Sequence, residues 1–177
     1  MTAIRLEIML RTDVREAYPD EIDAVRGLCR DYRDLLLART HEWKDSVEAY
    51  YADEFFEPLL ASLPDIHARP NGAIWIATVD DAVTGCGMFR RLNAGGSELQ
   101  RVFVSDDARG HGLGRRLCAS IMDQARADGC SWMRLDTGKP LTEAVTLYRA
   151  LGFLERPPPA DLPEALKDVL LRFERPL

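Results

Sequence analysis

The chain has 177 residues, a length that suits one domain spanning residues 1–177, and 46% of them are hydrophobic, which is enough for a sizeable core. Its net charge of −6 argues against nonspecific binding to nucleic acid or to an anionic membrane, and mildly favours cationic ligands such as amines. No apolar run approaches the ~20 residues of a membrane span, and the N-terminal segment does not resemble a signal peptide. We therefore expect a cytoplasmic protein.

The 4 cysteines are scattered along the chain. None of them forms a CxxC pair, and none has a histidine at a spacing typical of metal ligands. We interpret all of them as reduced thiols in or near the core, and we expect no metal site.

The first half of the chain predicts one strand and two helices. Apolar residues alternate with polar ones from Ile4 to Leu10, which is the pattern of a half-buried strand. Asp20 is the predicted N-cap of a helix whose apolar positions recur at helical spacing from Ile22 to Leu36. A second helical stretch is predicted over about 42–62, and Leu63-Pro64 together with residues 69–72 predicts a loop.

The second half alternates between strand and helix signals. Strands are predicted over residues 73–79, 83–92, 98–104, 131–136, 153–156 and 169–173, and helices over 113–128 and 142–151. A helix between two strands is typical of a crossover unit, whereas the first three of these strands are typical of an antiparallel meander. The sequence therefore predicts a mixed α/β fold with a largely antiparallel first half and one crossover.

A glycine-rich loop, RGHGLG at residues 109–114, joins a predicted strand to a predicted helix. The N-terminus of a helix offers unpaired backbone N–H groups and a positive dipole end, and glycines let the backbone approach phosphate oxygens closely. Arg109, Arg115 and Arg116 can add positive charge there. The alternative is a tight turn without a ligand. The loop is neither a P-loop nor a dinucleotide fingerprint, because both need a different spacing and setting.

A second signal is AVTLYRALGF at residues 144–153, which places Tyr148 in a short helix beside a strand. Taken alone, a tyrosine at such a position is more often part of the core.

The two signals together resemble the GNAT superfamily of N-acetyltransferases. The loop at residues 109–114 is similar to the family's acetyl-CoA motif, [RQ]-x-x-G-x-[GA], and ELQRVFV at residues 98–104 is similar to the strand that precedes it. LYRALGF resembles the family's late helix, L-Y-x-x-x-G-F. RLDT at residues 134–137 and Pro70-Asn71-Gly72 bring the chain nearer to a subgroup of small, mostly uncharacterised bacterial members.

The resemblance implies a central mixed, mostly antiparallel sheet with a splayed strand pair and helices on both faces. It implies acetyl-CoA as the acetyl donor, no metal, and an amine acceptor. The residues that it implies for binding acetyl-CoA, through the pyrophosphate at the loop and the pantetheine arm at the strand, are Val102, Phe103, Val104, Arg109, Gly110, His111, Gly112, Leu113, Gly114 and Arg115.

The resemblance also implies two catalytic residues. Tyr148 would protonate the departing thiolate, and Glu98 lies where many members hold a carboxylate general base. The alternative for Glu98 is a solvated strand residue that forms a salt bridge with Arg101 or another neighbour. Two departures affect the cofactor site, since Leu141 stands where many members have asparagine and His111 where a lysine or arginine is common.

Three hypotheses follow. The first is an acetyl-CoA-dependent N-acetyltransferase that moves the acetyl group to a primary amine by direct attack in a ternary complex. The second is a non-catalytic acetyl-CoA-binding regulatory domain, and the third is a purely structural protein. The acceptor could be a small amine, an amino acid, an antibiotic or a protein N-terminus. His41, Glu42, Trp43, Tyr50 and Tyr51 are candidates for its pocket. Arg156 and three prolines, where the subgroup usually has a tyrosine, affect the rim of that pocket. Homodimers are common in the family.

Overall fold

The computed structural model describes residues 10–160 and 162–177, which form one seven-stranded sheet with helices packed on both faces. The strands are β1 Thr12–Glu16, β2 Gly72–Val79, β3 Ala82–Arg91, β4 Gly96–Val104, β5 Trp132–Gly138, β6 Leu154–Arg156 and β7 Leu170–Pro176. The helices are α1 Ile22–Arg39, α2 Lys44–Tyr50, α3 Asp53–Ala61, α4 Leu63–Ile66, α5 Leu113–Ala127, α6 Thr142–Ala150 and α7 Glu164–Lys167.

The strand order is β1-β2-β3-β4-β5-β7-β6. Every neighbouring pair is antiparallel except β4 and β5, which are parallel and are joined by the crossover through α5. The predicted mixed, mostly antiparallel sheet is therefore confirmed. It places the glycine-rich loop at the end of a central strand, where two helices approach the sheet.

Two apolar layers hold the helices on the sheet. On one face, α5 buries Leu117, Ile121 and Ala125, which recur every four residues and pack towards the strands together with residues of α6. On the other face, α1, α3 and α4 pack against apolar side chains of β2, β3 and β4. Strand β2 is buried along most of its length because it is covered on both faces.

The central feature of the sheet is the place where β4 and β5 separate. They pair only from Gly96 opposite Trp132 to Glu98 opposite Arg134, although both strands continue beyond this point. The β3–β4 register shifts between Cys86 and Met88, and Arg101 on β4 has a φ of 50°, so β4 carries a bulge there. The predicted splayed strand pair is confirmed.

The structure of the N-terminal half differs from several predictions. Most of the strand predicted from Ile4 to Leu10 lies outside the described residues, and the first strand that the structure describes is β1, which the sequence did not indicate. Asp20 does not cap α1, because Pro19 starts a 3-10 turn and Glu21 occupies the N-cap. The Glu21 carboxylate instead accepts a hydrogen bond from the backbone N–H of Tyr18 at 2.8 Å.

The single helix predicted over 42–62 is broken into α2 and α3 at Tyr51 and Ala52. Ala52 is extended, and its carbonyl accepts hydrogen bonds from the next turn. Val47, Tyr51 and Phe56 all face inward, but the step from residue 51 to 56 is longer than a straight helix can keep on one face. The segment 63–66, predicted as loop, forms the short helix α4.

The second half follows the predictions closely. All its predicted strands and both predicted helices form, and their ends differ from the predicted ones by a few residues. Gly129 and Gly152, both with positive φ, follow the ends of α5 and α6. All four cysteines are buried and free, as predicted.

We predict that Gly72→Ala destabilises the fold by about 1–3 kcal/mol. A Cβ at this position would collide with the backbone oxygen of Phe89 and lie 3.1 Å from Cα of His67. Gly27→Ala in helix α1 is the matched control, since no atom beyond the adjacent residues and the local helix backbone lies within 4 Å of the added Cβ. The control should gain up to about 1 kcal/mol from helix propensity. Denaturant unfolding compares the two, and a Gly72→Ala midpoint equal to that of the parent would contradict the packing.

Candidate active site

A cavity of about 440 Å³ lies where the glycine-rich loop, the free edge of β4, helix α6 and the C-terminal half of α1 meet. It brings together most of the predicted site residues. Those that line it are Val102, Phe103, Val104, Arg109, Gly110, Gly112, Leu113, Gly114, Arg115 and Tyr148. His111 is exposed and does not line the cavity, and neither does Glu98.

The loop presents a row of unpaired backbone donors to this cavity. Gly110 and Gly112 have φ values of 86° and 69°, which only glycine adopts without strain. The first α5 hydrogen bond that reaches back to the loop is donated by the N–H of Arg116 to the carbonyl of Gly112. Within the described part of the chain, none of the N–H groups from Gly110 to Arg115 has a hydrogen-bond acceptor. Such a row at the positive end of a helix is suited to an anion.

Two of the three predicted arginines add positive charge at this loop. Arg109 and Arg115 both line the cavity, and Arg109 also pairs with Asp106 at 2.8 Å. The prediction that Arg116 adds a third positive charge at the loop was wrong. Arg116 does not line the cavity and instead donates a hydrogen bond to the hydroxyl of Thr12 at 2.8 Å.

The β4 edge supplies the second wall of the cavity. After Glu98 no strand of the described part of the chain pairs with this edge, because β5 diverges from β4. Residues 102–104 lie along the open edge and line the cavity. An extended ligand can therefore align with the backbone of β4 in place of a strand.

Tyr148 closes the inner end of the cavity from α6. Its ring is buried and packs against Phe153 and Phe173, with centroids at 6.0 and 6.4 Å. Burial raises its pKa well above the ordinary value, with smaller contributions from Cys118 and Tyr32. Its hydroxyl makes no hydrogen bond within residues 10–160 and 162–177. The side chain is therefore held protonated at neutral pH with a free hydroxyl.

Glu98 lies at the last position where β4 pairs with β5, and it is 8% exposed. Its carboxylate accepts hydrogen bonds from Arg90 at 2.8 Å, Arg134 at 3.0 Å and Gln100 at 2.6 Å. Burial raises the pKa of Glu98, but the two arginines outweigh it, so the pKa is lowered overall. These surroundings resemble the salt-bridged alternative, although the partners are not Arg101 and the residue is not solvated. Its role as general base stays a prediction.

Helix α1 and further residues of α6 also line the cavity, which was not predicted from the sequence. Ala144 and Leu147 line the cavity one turn apart, a helical spacing that could have been found from the sequence, and they follow Leu141, which the family resemblance had already assigned to the cofactor site. Tyr32 and Arg39 come from α1, which reaches the cavity only through the tertiary fold. Their placement had no local signal.

A salt bridge spans this cavity between α1 and α6. Arg39 and Glu143 both line it and form an ion pair at 2.7 Å. The hydrogen bond from Arg39 lowers the pKa of Glu143 to about 2.

The residues predicted for an acceptor pocket divide into two groups. Tyr50 and Tyr51 line a second cavity, which also includes Tyr32. His41, Glu42 and Trp43 line a separate surface depression and do not reach it. Among residues 10–160 and 162–177, no cluster of three or more potential metal ligands occurs, and no helix has the length and apolar character to cross a membrane.

The chain is similar in sequence to known acetyltransferases. The sequence profile described as the acetyltransferase (GNAT) family matches residues 34–153. The "IAA acetyltransferase" of Azospirillum brasilense is 40% identical over 92 residues, which are 51% of this chain and 60% of that protein. The chain thus matches less than two thirds of that relative's length.

Solved structures share the fold over almost the whole chain. A GNAT-family acetyltransferase of Staphylococcus aureus Mu50 has a TM-score of 0.70 at 18% identity, covering 94% of this chain and 99% of its own. The PaiA N-acetyltransferase of Thermoplasma acidophilum, determined in complex with coenzyme A, has a TM-score of 0.69 at 14% identity with the same coverage. The strand, glycine-rich loop and late helix that resembled this family all fall within the matched segment, and the chain belongs to the acetyltransferase (GNAT) family.

Proposed function

We propose that this protein is an acetyl-CoA-dependent N-acetyltransferase that moves the acetyl group to a primary amine by direct attack in a ternary complex. The observation that carries the proposal is the row of unpaired N–H groups from Gly110 to Arg115, which ends a cavity that also holds a buried tyrosine hydroxyl. Family membership and the coenzyme A complex of the PaiA protein support the same donor.

The loop and the open strand edge fit the two ends of the donor. The amides from Gly110 to Arg115 would hold the pyrophosphate, with Arg109 and Arg115 adding charge. The backbone of residues 102–104 would hydrogen-bond the pantetheine arm along the free edge of β4. His111 is exposed, and its proposed contribution is its backbone N–H alone.

The donor supplies the acetyl group as a thioester. Transfer forms a bond between the amine nitrogen and the carbonyl carbon and breaks the C–S bond, so one proton must leave the nitrogen and one must reach the sulfur. Tyr148 is the proposed proton donor to sulfur, since its hydroxyl is protonated at neutral pH, lies in the cavity and makes no hydrogen bond within residues 10–160 and 162–177. Backbone N–H groups at the free β4 edge are proposed to polarise the carbonyl.

Glu98 is the proposed acceptor of the amine proton. Gln100, which donates a hydrogen bond to Glu98, lines the second cavity and links the carboxylate to it. The lowered pKa keeps Glu98 ionised at neutral pH, so its basic form is present. The competing role is that of an ionic anchor, which its burial and its two arginine partners favour.

Acetyl-CoA binding is the first test. Acetyl-CoA at about 100 times its Kd should add about 2.7 kcal/mol to the free energy of unfolding. Gly114→Trp should abolish the gain, because a side chain at Gly114 projects into the cavity towards Leu147, 3.6 Å from the Cβ position. Gly114 does not have a positive φ, so this block strains the backbone less than one at Gly112.

Gly27→Ala, far from the loop, should keep the full gain in stability. No gain in the parent at millimolar acetyl-CoA would contradict the proposed donor site. Binding without transfer to any amine in a broad panel would instead favour the regulatory domain, in keeping with Leu141 at the start of α6.

Tyr148→Phe should lower kcat about 100-fold, since the proton donor is lost. The ring can keep its packing against Phe153 and Phe173, so the unfolding temperature and the affinity for acetyl-CoA should change little. Single-turnover kinetics with excess enzyme isolates the transfer step. Tyr18→Phe, at an exposed tyrosine, is the control. A transfer rate equal to that of the parent would remove Tyr148 from the mechanism.

Glu98→Gln should lower the free energy of unfolding by about 1–3 kcal/mol at neutral pH, because Arg90 and Arg134 lose their charged partner. The folded-state pKa of Glu98 lies below the ordinary value of 4.5, so its stabilising effect is present above pH 4.5 and is lost as the pH falls through the folded-state pKa. The stability difference between parent and variant should therefore shrink below about pH 4.5, as denaturant unfolding at several pH values would measure.

The same variant separates the two roles of Glu98. If the carboxylate is the base, kcat of the folded variant falls at neutral pH in addition to its stability. An unchanged kcat with reduced stability would remove the catalytic role and leave the ionic anchor.

A further inference from the structure

A second cavity, of about 550 Å³, lies beside the first and is largely aromatic. Tyr32 lines both cavities, so they meet at this side chain of α1. Tyr51 forms part of the inner wall, while Tyr50 and Phe55 are 66% and 64% exposed at its rim. Large apolar side chains exposed together around a cavity are typical of a ligand site.

Arg101 is the cation of this cavity. It lies at the β4 bulge with a positive φ, is half-buried, and is followed directly by Val102, which lines the first cavity. In the part of the chain that the structure describes, no carboxylate lies within ion-pair distance of Arg101, and its guanidinium donates one hydrogen bond, to the Gln100 side chain at 3.2 Å. Withdrawing a cation from water without a counter-charge is unfavourable, and a bound anion removes that penalty.

Two carboxylates near Arg101, those of Asp136 and Glu98, are already paired with other arginines. Asp136 lines the cavity, but both its oxygens accept hydrogen bonds from Arg172, at 2.8 and 2.7 Å. Glu98 is held between Arg90 and Arg134. The positive charge of Arg101 therefore lacks compensation, in contrast to the arginines around it.

The charge of Arg101 reaches the aromatic walls. Burial raises the pKa of Tyr32 to about 12, and Arg101 opposes this shift. Burial likewise raises the pKa of Tyr51, again with Arg101 acting in the opposite direction. The guanidinium therefore acts on the interior of the cavity rather than on solvent alone.

We propose that this cavity binds the acceptor, and that the acceptor is a primary amine with an aromatic or apolar body and a carboxylate held by Arg101. The inference rests on the proposed acetyl transfer and narrows its substrate class to amino acids with an apolar body. It disfavours polyamines, because a second ammonium group would meet the unpaired guanidinium. The acidic net charge favours cationic ligands in general. At this cavity Arg101 favours a ligand that also carries a negative group.

Binding can be tested apart from catalysis with two inert probes. 3-Phenylpropanoate and 3-phenylpropanol share the same body and differ in the carboxylate. Calorimetry on the protein saturated with coenzyme A should give at least about tenfold tighter binding of the carboxylate, as a charge-assisted pair with arginine provides. Arg101→Met should abolish this preference, Arg101→Lys should keep part of it, and Arg126→Met, which removes an exposed arginine of α5, should leave it intact.

Turnover gives the second readout. L-phenylalanine should be preferred to 2-phenylethylamine, or 4-(aminomethyl)benzoate to benzylamine, and the preference should appear mainly in KM. If the parent protein does not bind coenzyme A, the proposed function is contradicted. Intact coenzyme A binding with equal binding of the two inert probes, or with binding of neither, would overturn the inference and leave the proposed function standing. The comparison of the two inert probes on the parent protein tests the inference even if Arg101→Met does not fold.

Discussion

The separation of β4 from β5 is the constraint on which the rest of the site depends. The two strands are parallel neighbours for a short stretch and then diverge, and the bulge at Arg101 accompanies the change of direction. Glu98 lies at the last paired position and binds Arg90 of β3 and Arg134 of β5. Its carboxylate therefore ties three adjacent strands together just before the sheet opens. A buried carboxylate that is paired with an arginine on each neighbouring strand can hold such a junction rigid.

The opening creates two cavities with different character. The first is bounded by unpaired amides, two arginines and the free edge of β4, and it suits a long anionic ligand with an extended arm. The second is bounded by aromatic side chains of α1, α2 and α3 and contains Arg101, which has no carboxylate partner among residues 10–160 and 162–177. Tyr32 separates them. The proposed direct transfer needs two substrates to approach the same gap from different directions, and two cavities that meet at Tyr32 suit this proposal.

The sequence predicted the elements whose signals are local. The strands of the meander, the helix after the loop and the helix with Tyr148 follow from periodicity and glycine stops, and the unpaired amides follow from the place of RGHGLG at a helix start. The chain also resembled its family in these segments, and this resemblance implied the sheet with its splayed strand pair. The structure confirmed both.

The remaining features depend on contacts between distant parts of the chain. Glu98 and Arg134 are 36 residues apart, so no local pattern indicated that the proposed base is buried between arginines. Arg39 and Glu143 are 104 residues apart, which hid the salt bridge of the first cavity. The break between α2 and α3 depends on how Tyr51 and Phe56 pack inward together, at 5.4 Å between ring centroids. Nothing local marks Arg101 as lacking a counter-charge.

The pyrophosphate of coenzyme A is proposed to lie on the amides that follow β4. Amide hydrogen exchange with and without coenzyme A measures this directly, because those N–H groups have no acceptor within the described residues of the free protein. We expect rapid exchange from Gly110 to Arg115 without ligand, and strong slowing there and at residues 102–104 when coenzyme A is bound. Slowing confined to other segments, or no slowing at saturating coenzyme A, would contradict the account.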